Sequence, residues 1–170
     1  TLYWYWDTNQ SASVYKISKW DGFNLTELKV DDDIDAIASI NIDANGNVYI
    51  GAGVYENFDQ KVNVYKWDGI SWEIIGKGGN ELNANSYISK IQVVNKNSIY
   101  VTGGFTNANV KNYIAHWDGN KWSQIGSGSW QNGGLETMLF VVSQDDVVYA
   151  YSGWFVNFNL TYAKLDTNTN

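Results

Sequence analysis

The residues of this chain that could do chemistry fall into three kinds. The first is a single histidine, His116, directly before Trp117. An imidazole that titrates near neutrality is a common general base and metal ligand. However, Lys19, Lys66 and Lys164 stand in the matching slot elsewhere in the chain, and a slot that takes lysine three times faces solvent. The second kind is acidic. Asp21, Asp68 and Asp118 each precede a glycine, where a short carboxylate bonds nearby amides and tolerates the left-handed region, so they are turn residues and not catalysts. Asp31-Asp32-Asp33-Ile34-Asp35 is the densest acidic run. A Ca²⁺ site wants several oxygens on a flexible loop, but this spacing matches no known calcium loop and recurs nowhere else, which makes it a solvated charge run. Asp43-Ala44-Asn45-Gly46-Asn47 is a hairpin turn by the same reasoning. The third kind is aromatic. Trp130 lies in the polar segment Gly128-Ser129-Trp130-Gln131-Asn132. Trp154 and Phe155 lie near another loop, with Tyr55 and Phe105 at comparable places. Rings among Asn and Gln suit recognition: the ring covers the apolar side of a ligand while the amides bond its polar groups. These five aromatics are the candidate ligand-binding residues.

Composition removes several functions. The net charge is -7, and the 11 basic residues are all lysine, so no clustered arginines meet a nucleic-acid backbone. With no cysteine, disulfides, thiolate metal sites and cysteine nucleophiles are excluded. The glutamates are scattered, so paired carboxylates for glycoside chemistry are missing. Gly76-Lys77-Gly78-Gly79-Asn80 and Gly126-Ser127-Gly128 sit between strand-like segments, not before a helix, so neither is a phosphate loop. The expectation is therefore no catalytic residue, no metal and no cofactor. No run approaches the ~18 apolar residues of a membrane span. The segment Thr1 to Asp7 lacks the charged start and small-residue cleavage site of a signal peptide and resembles a strand entered midway.

The elements that must position these residues follow from a repeat. Trp-Asp-Gly occurs at Trp20, Trp67 and Trp117, spaced by 47 and 50 residues, with a degenerate copy at Leu165-Asp166. Tyr3, Tyr49, Tyr100 and Tyr149 keep nearly the same period. Periods of ~40–50 residues belong to propeller blades or helical repeats. The segments between landmarks are short, β-branched and aromatic, with no sustained helical period, so the unit is β. The third unit reads as four strands: one around Ile88, Ile91 and Val93, then Ile99–Phe105, Asn112–Trp117 and Lys121–Ile125, with Asp118-Gly119 as a two-residue hairpin turn. The first unit starts at its second strand and the last ends after its third. That predicts 14 strands grouped 3, 4, 4 and 3, in units of approximately 1–30, 31–78, 79–128 and 129–170 within one domain.

Four antiparallel strands per ~48 residues make a blade, which buries both faces only by stacking on other blades. The fold class is thus an all-β propeller or a segment of one. Gly103-Gly104 at the end of a second strand, with Tyr113 and Trp117 downstream, resembles the kelch and galactose-oxidase-like repeats. The Trp-Asp-Gly-x-x-Trp form, complete at Trp67–Trp72 and Trp117–Trp122, is similar to blades of bacterial surface adhesin-like propellers and of tectonin- or tachylectin-type lectins. The resemblance implies a non-catalytic binding or adhesion module, outside the cell or on its surface, taking a protein partner or a glycan through loop faces. A glycosidase or oxidase propeller is the remaining alternative. The incomplete end units imply either further blades or closure with another copy of the chain.

Overall fold

The computed structural model describes residues 2–7, 12–31, 34, 36–56, 59–109, 113–125, 139–143, 147–152 and 161–165. Its architecture is all-β and antiparallel, with no helix among the described residues. Fourteen strands are described. In the first sheet, β1 (Leu2–Asp7), β2 (Ala12–Trp20) and β3 (Leu25–Leu28) lie in chain order. The second holds β4 (Ala36–Ile42), β5 (Val48–Glu56), β6 (Asp59–Trp67) and β7 (Trp72–Ile74). The third holds β8 (Ile88–Asn95), β9 (Ser98–Gly103), β10 (Ile114–Trp117) and β11 (Trp122–Ile125). The fourth holds β12 (Leu139–Val142), β13 (Val148–Ser152) and β14 (Thr161–Leu165). This is the grouping of 3, 4, 4 and 3 strands expected from the sequence.

Three hairpins are closed by the same local chemistry. Asp21 Oδ1 accepts the amides of Phe23 at 2.8 Å and Asn24 at 2.7 Å. Asp68 Oδ1 accepts those of Ile70 and Ser71, both at 2.7 Å. Asp118 Oδ1 accepts those of Asn120 at 2.8 Å and Lys121 at 2.9 Å. In each case the aspartate amide also donates to the carbonyl three residues on. The turn is therefore not the two-residue Asp-Gly loop predicted from the dipeptide. The carboxylate takes the amides that a backbone carbonyl would otherwise receive, and the loop spans all four residues between the paired positions Trp67 and Trp72, or Trp117 and Trp122. Glycine follows because Gly22, Gly69 and Gly119 have φ of 105°, 105° and 93°, a region costly for a side chain.

The alternation of each strand gives every sheet two faces, and the middle two sheets pack one face on the preceding sheet and the other on the following one. The first sheet sends Tyr15, Ile17 and Leu28 forward, where they meet Ile37, Ile50, Ala52, Tyr65 and Trp72 of the second. The second sends Tyr49, Val62 and Val64 forward to Ile88, Ile91, Ile99, Val101, Ala115 and Trp117 of the third. The third sends Tyr100 and Ile114 forward to Phe140 and Val148 of the fourth. Each buried large side chain is worth ~1.5–3 kcal/mol relative to exposure, so these three junctions are the core. First strands adjoin across the junctions, β4 beside β8 and β8 beside β12.

Polar atoms stitch the same junctions. Trp72 Nε1 donates to Lys29 O at 2.8 Å. Ser39 Oγ donates to Ile88 O at 2.7 Å, beside Gly51, whose missing Cβ would lie 2.5 Å from that oxygen and 2.8 Å from Ile88 Cβ. Only glycine lets the two sheets come this close. Gln92 Nε2 donates to Val142 O at 2.8 Å, and Gln92 Oε1 accepts Val142 N at 2.9 Å. Lys90 Nζ also donates to Phe140 O.

Two expectations are revised by the register. Tyr49 pairs with Lys66, Tyr100 with His116 and Tyr149 with Lys164, but Tyr3 pairs with Lys16, three residues away from the matching slot at Lys19. Tyr3 is a strand residue of a different position and face, so its spacing is coincidental. His116 is not a simple solvent-facing residue either. Its ring stacks on Tyr100 with centroids 4.3 Å apart and planes at 18°, and Nε2 lies 3.3 Å from Ser98 Oγ. The slot lies on the face toward the next sheet, where a lysine can leave by its flexible stem and an imidazole stacks instead.

Candidate functional site

Of the five aromatics expected to bind a ligand, the structure places Phe105 and the backbone of Tyr55. Phe105 is fully buried, and its ring meets Tyr113 edge-on at 5.0 Å within the core between the second and third sheets. It is a packing residue, contrary to the expectation of an exposed ring. The reason is that the segment after β9 folds back, with Thr106 N donating to Asn85 Oδ1 at 2.9 Å, which draws Phe105 inward. Tyr55 lies in β5 opposite Gln60. Trp130, Trp154 and Phe155 lie outside the described residues. Of the acidic run, Asp31 is half-buried and its carbonyl accepts Ile34 N at 3.0 Å, while Asp32, Asp33 and Asp35 also lie outside the described residues.

What the structure does bring together is a cleft of about 430 Å³ along the seam between the second and third sheets. That volume falls in the range of small-molecule sites. Five segments supply its walls: β5 gives Tyr49, β6 gives Lys66, β7 and the following turn give Glu73, Ile75, Lys77 and Asn80, the β8–β9 turn gives Lys96, and the β10–β11 turn gives Asn120 beside Trp117. Register explains the first wall. Lys66 pairs directly with Glu73 and with Tyr49 on its other side, so a cation, an anion and a phenol share one row. Lys66 Nζ sits 6.0 Å from the Tyr49 ring centroid, at the edge of cation–π range.

The turn after β7 shapes the opening. Gly76 occupies the place that Lys29 holds after β3, counted from the Trp-Asp-Gly hairpins. Lys29 O accepts an indole from the next sheet, whereas Gly76 O is taken by Asn80 N at 3.0 Å. Glu81 fastens the same turn by accepting the amides of Gly78 at 2.7 Å and Gly79 at 3.0 Å. Trp122 Nε1, the counterpart of Trp72 Nε1, is buried with no partner among the described residues. The glycine-rich turn thus closes on itself instead of on its neighbour, and the seam beside it stays open. From the sequence alone this segment is no phosphate loop, because no helix follows it. The usable signal was different: a Gly-Lys-Gly-Gly-Asn stretch in one unit only, after a strand whose Lys66–Glu73 row faces the same way.

The floor of the cleft is electrostatically fixed. Burial alone would raise the Asp43 carboxyl, but the Asn47 side chain at 2.7 Å, the Asn47 and Asn45 amides at 2.9 Å and Tyr49 Oη at 3.3 Å together hold it below its ordinary value. Tyr49 moves the opposite way: burial, then the Asp43 charge and their hydrogen bond, push its phenol up to about 12. Tyr49 is therefore a neutral donor to Asp43 and Asp43 an anion at any ordinary pH. Asp43, read from sequence as a plain turn residue, is buried support for the site. Around this floor stand three ammonium groups, one carboxylate, two side-chain amides and the edge of an indole. Such a set can hold a polar ligand that carries acceptors, with three cations to two anions, Glu73 and the underlying Asp43, favouring acidic groups.

No known protein family, curated protein or solved structure matches this chain.

Proposed function

We propose that the chain is a β-propeller, or a segment of one, acting as a non-catalytic binding module whose ligand seat is the seam cleft. The propeller reading is supported by four antiparallel sheets stacked in chain order, with first strands adjoining across successive junctions as blades do around an axis. Its resemblance to kelch-like repeats and to adhesin-like or lectin propellers favours a setting outside the cell or at its surface. The binding reading is carried by one observation: in a chain of net charge -7, Lys66, Lys77 and Lys96 converge from three separate segments on one cleft with Asn80 and Asn120. Ammonium and amide donors around an indole edge suit a sugar or peptide bearing carboxylate or sulfate groups.

A glycan array holding neutral, uronate-containing and sulfated members tests this against a set of acidic peptides. Wild type should bind acidic glycans or acidic peptides, and Lys77→Glu together with Asn120→Ala should weaken that binding at least tenfold. Binding that is confined to neutral glycans and untouched by these substitutions would move the ligand seat away from the cleft and toward the loop aromatics Trp130, Trp154 and Phe155. A protein surface recognised by the loop faces, as in an adhesin, is supported by resemblance alone and ranks second.

A further inference from the structure

Two seams in this molecule can be compared residue by residue. At the seam between the first and second sheets, Trp72 Nε1 donates to Lys29 O at 2.8 Å. At the next seam the same parts stand in the same places. Trp122 follows its Trp-Asp-Gly hairpin as Trp72 follows its own, and Gly76 follows the second hairpin as Lys29 follows the first. The indoles are held alike on their sheets. Trp72 pairs with Trp67 and Trp122 with Trp117, with ring centroids 5.2 and 5.6 Å apart and planes at 52° and 49°. Gly76 lies beside the second indole pair, since a Cβ on it would be 3.1 Å from Trp117 Cζ3. Yet Gly76 O accepts Asn80 N at 3.0 Å, and Trp122 Nε1 is buried with no partner among the described residues. A buried donor left without an acceptor costs more than a made bond gains.

The turn that carries Gly76 has fixed ends and a free middle. Ile75 N donates to Val64 O at 2.8 Å before it. After it, Asn83 N donates to Asn63 Oδ1 at 2.8 Å, and Ala84 and Val62 bond each other through both backbone groups. Between these anchors Lys77 to Asn80 are exposed, and Glu81 braces them through the amides of Gly78 and Gly79. If Gly76 O turns away, the exposed Asn80 amide takes water in its place, whereas the buried Trp122 donor has no such substitute. We propose that this turn is a gate with two positions, which exchange the partner of Gly76 O. In the open position, that of this structure, Gly76 O accepts Asn80 N. In the shut position it accepts Trp122 Nε1, as Lys29 O accepts Trp72 Nε1 one seam earlier. Gly76, Lys77 and Asn80 all line the cleft, so shutting draws this wall onto the third sheet. A ligand seated in the cleft selects the open position. The exchange of partners stands on the seam geometry alone, and its regulatory meaning rests on the cleft being the ligand seat proposed above.

Nuclear magnetic resonance of the isotope-labelled chain reads both partners at once. The bonded Trp72 indole proton is the internal reference, and hydrogen exchange reads the Asn80 amide. Glu81→Ala removes the brace of the open turn. It should move the Trp122 indole proton downfield toward that of Trp72 and speed Asn80 exchange by about threefold or more. Trp122→Phe removes the donor of the shut position and should slow Asn80 exchange by about as much. The proposal falls if Trp122→Phe leaves Asn80 exchange unchanged, or if Glu81→Ala speeds it while the Trp122 indole proton stays in place. Titration with a heparin tetrasaccharide, which carries sulfate and uronate groups, tests the gate. Glu81→Ala should bind it about threefold more weakly than wild type, and Glu81→Ala combined with Trp122→Phe should recover the wild-type affinity. A combined variant as weak as Glu81→Ala means that the turn was only loosened, and it overturns the gate. Reciprocal changes at Asn80 and Trp122 with no binding by any form would support the two positions and sink the reading of the cleft as a seat for acidic ligands.

Discussion

The second-to-third sheet junction and the outer faces of the first and fourth sheets carry Tyr and Trp at matching register positions but bury them to different extents. Tyr49 and Trp117 are buried between two sheets, whereas Tyr149 and Trp20 are exposed, with no sheet over them among the described residues. Hydrophobicity in the sequence therefore marks the capacity to be covered, and the stack decides where that capacity is used. The consequence is energetic. An indole at a junction is part of the core, whereas an exposed indole contributes little to stability.

The sharpest way to break this contrast is to remove the indole in both places. Trp117→Ala should destabilise the chain by about 4 kcal/mol, the loss of transfer energy plus an uncollapsed cavity. Trp20→Ala, at a residue 60% exposed, should cost no more than about 0.5 kcal/mol. Urea unfolding followed by tryptophan fluorescence gives both values. Equal losses would mean that the first sheet's backward face is covered within the single chain, and the distinction between core and end face would fall.

The contrast also shows what the sequence could and could not carry. Strand count, grouping and the hairpin positions were legible because Trp-Asp-Gly encodes a local event, a carboxylate capturing two amides beside a glycine with positive φ. The seam cleft was not legible. It depends on which carbonyl Gly76 gives away and on how close the third sheet's turns come to β7, and neither is a property of one segment. Phe105 fails for a related reason. A ring in a polar loop reads as exposed, but the loop bonds back to Asn85 and turns the ring inward. Tyr3 shows the opposite error, a spacing that matches while the register does not.

A smaller effect is expected at Asp43, where the junction is supported from below. Asp43→Ala leaves the Asn47 amide and the Tyr49 hydroxyl without their acceptor and should cost about 2 kcal/mol. The pH dependence has two limbs. The Asp43 pKa is lowered on folding, so the stability it contributes is complete above the ordinary carboxylate range and is lost as pH falls through and below it. The Tyr49 pKa is raised, from 10.0 to about 12, so the stability tied to its neutral form is complete below 10 and lost as pH rises between those values. Chemical denaturation across pH should show both limbs in wild type. In Asp43→Ala the acid limb should flatten and the alkaline limb should shrink, because part of the Tyr49 shift comes from the Asp43 charge. An unchanged acid limb would remove Asp43 from its supporting role.

The smallest effect separates the third junction from the bare face that resembles it. Gln92 extends its amide to both backbone groups of Val142, acting as a short piece of strand between two sheets. Gln92→Ala unbinds one donor and one acceptor at a half-buried site, and should cost about 1 kcal/mol. Hydrogen exchange localises the loss: the Val142 amide should exchange faster while the amides of β9 in the third sheet keep their protection. Val141 stands at the same register position on the fourth sheet and is 58% exposed. Val141→Gln should therefore leave the chain's stability within about 0.5 kcal/mol of wild type. If it instead stabilises the chain by as much as Gln92→Ala destabilises it, the fourth sheet's forward face has a bonding partner that the exposure of Val141 does not suggest.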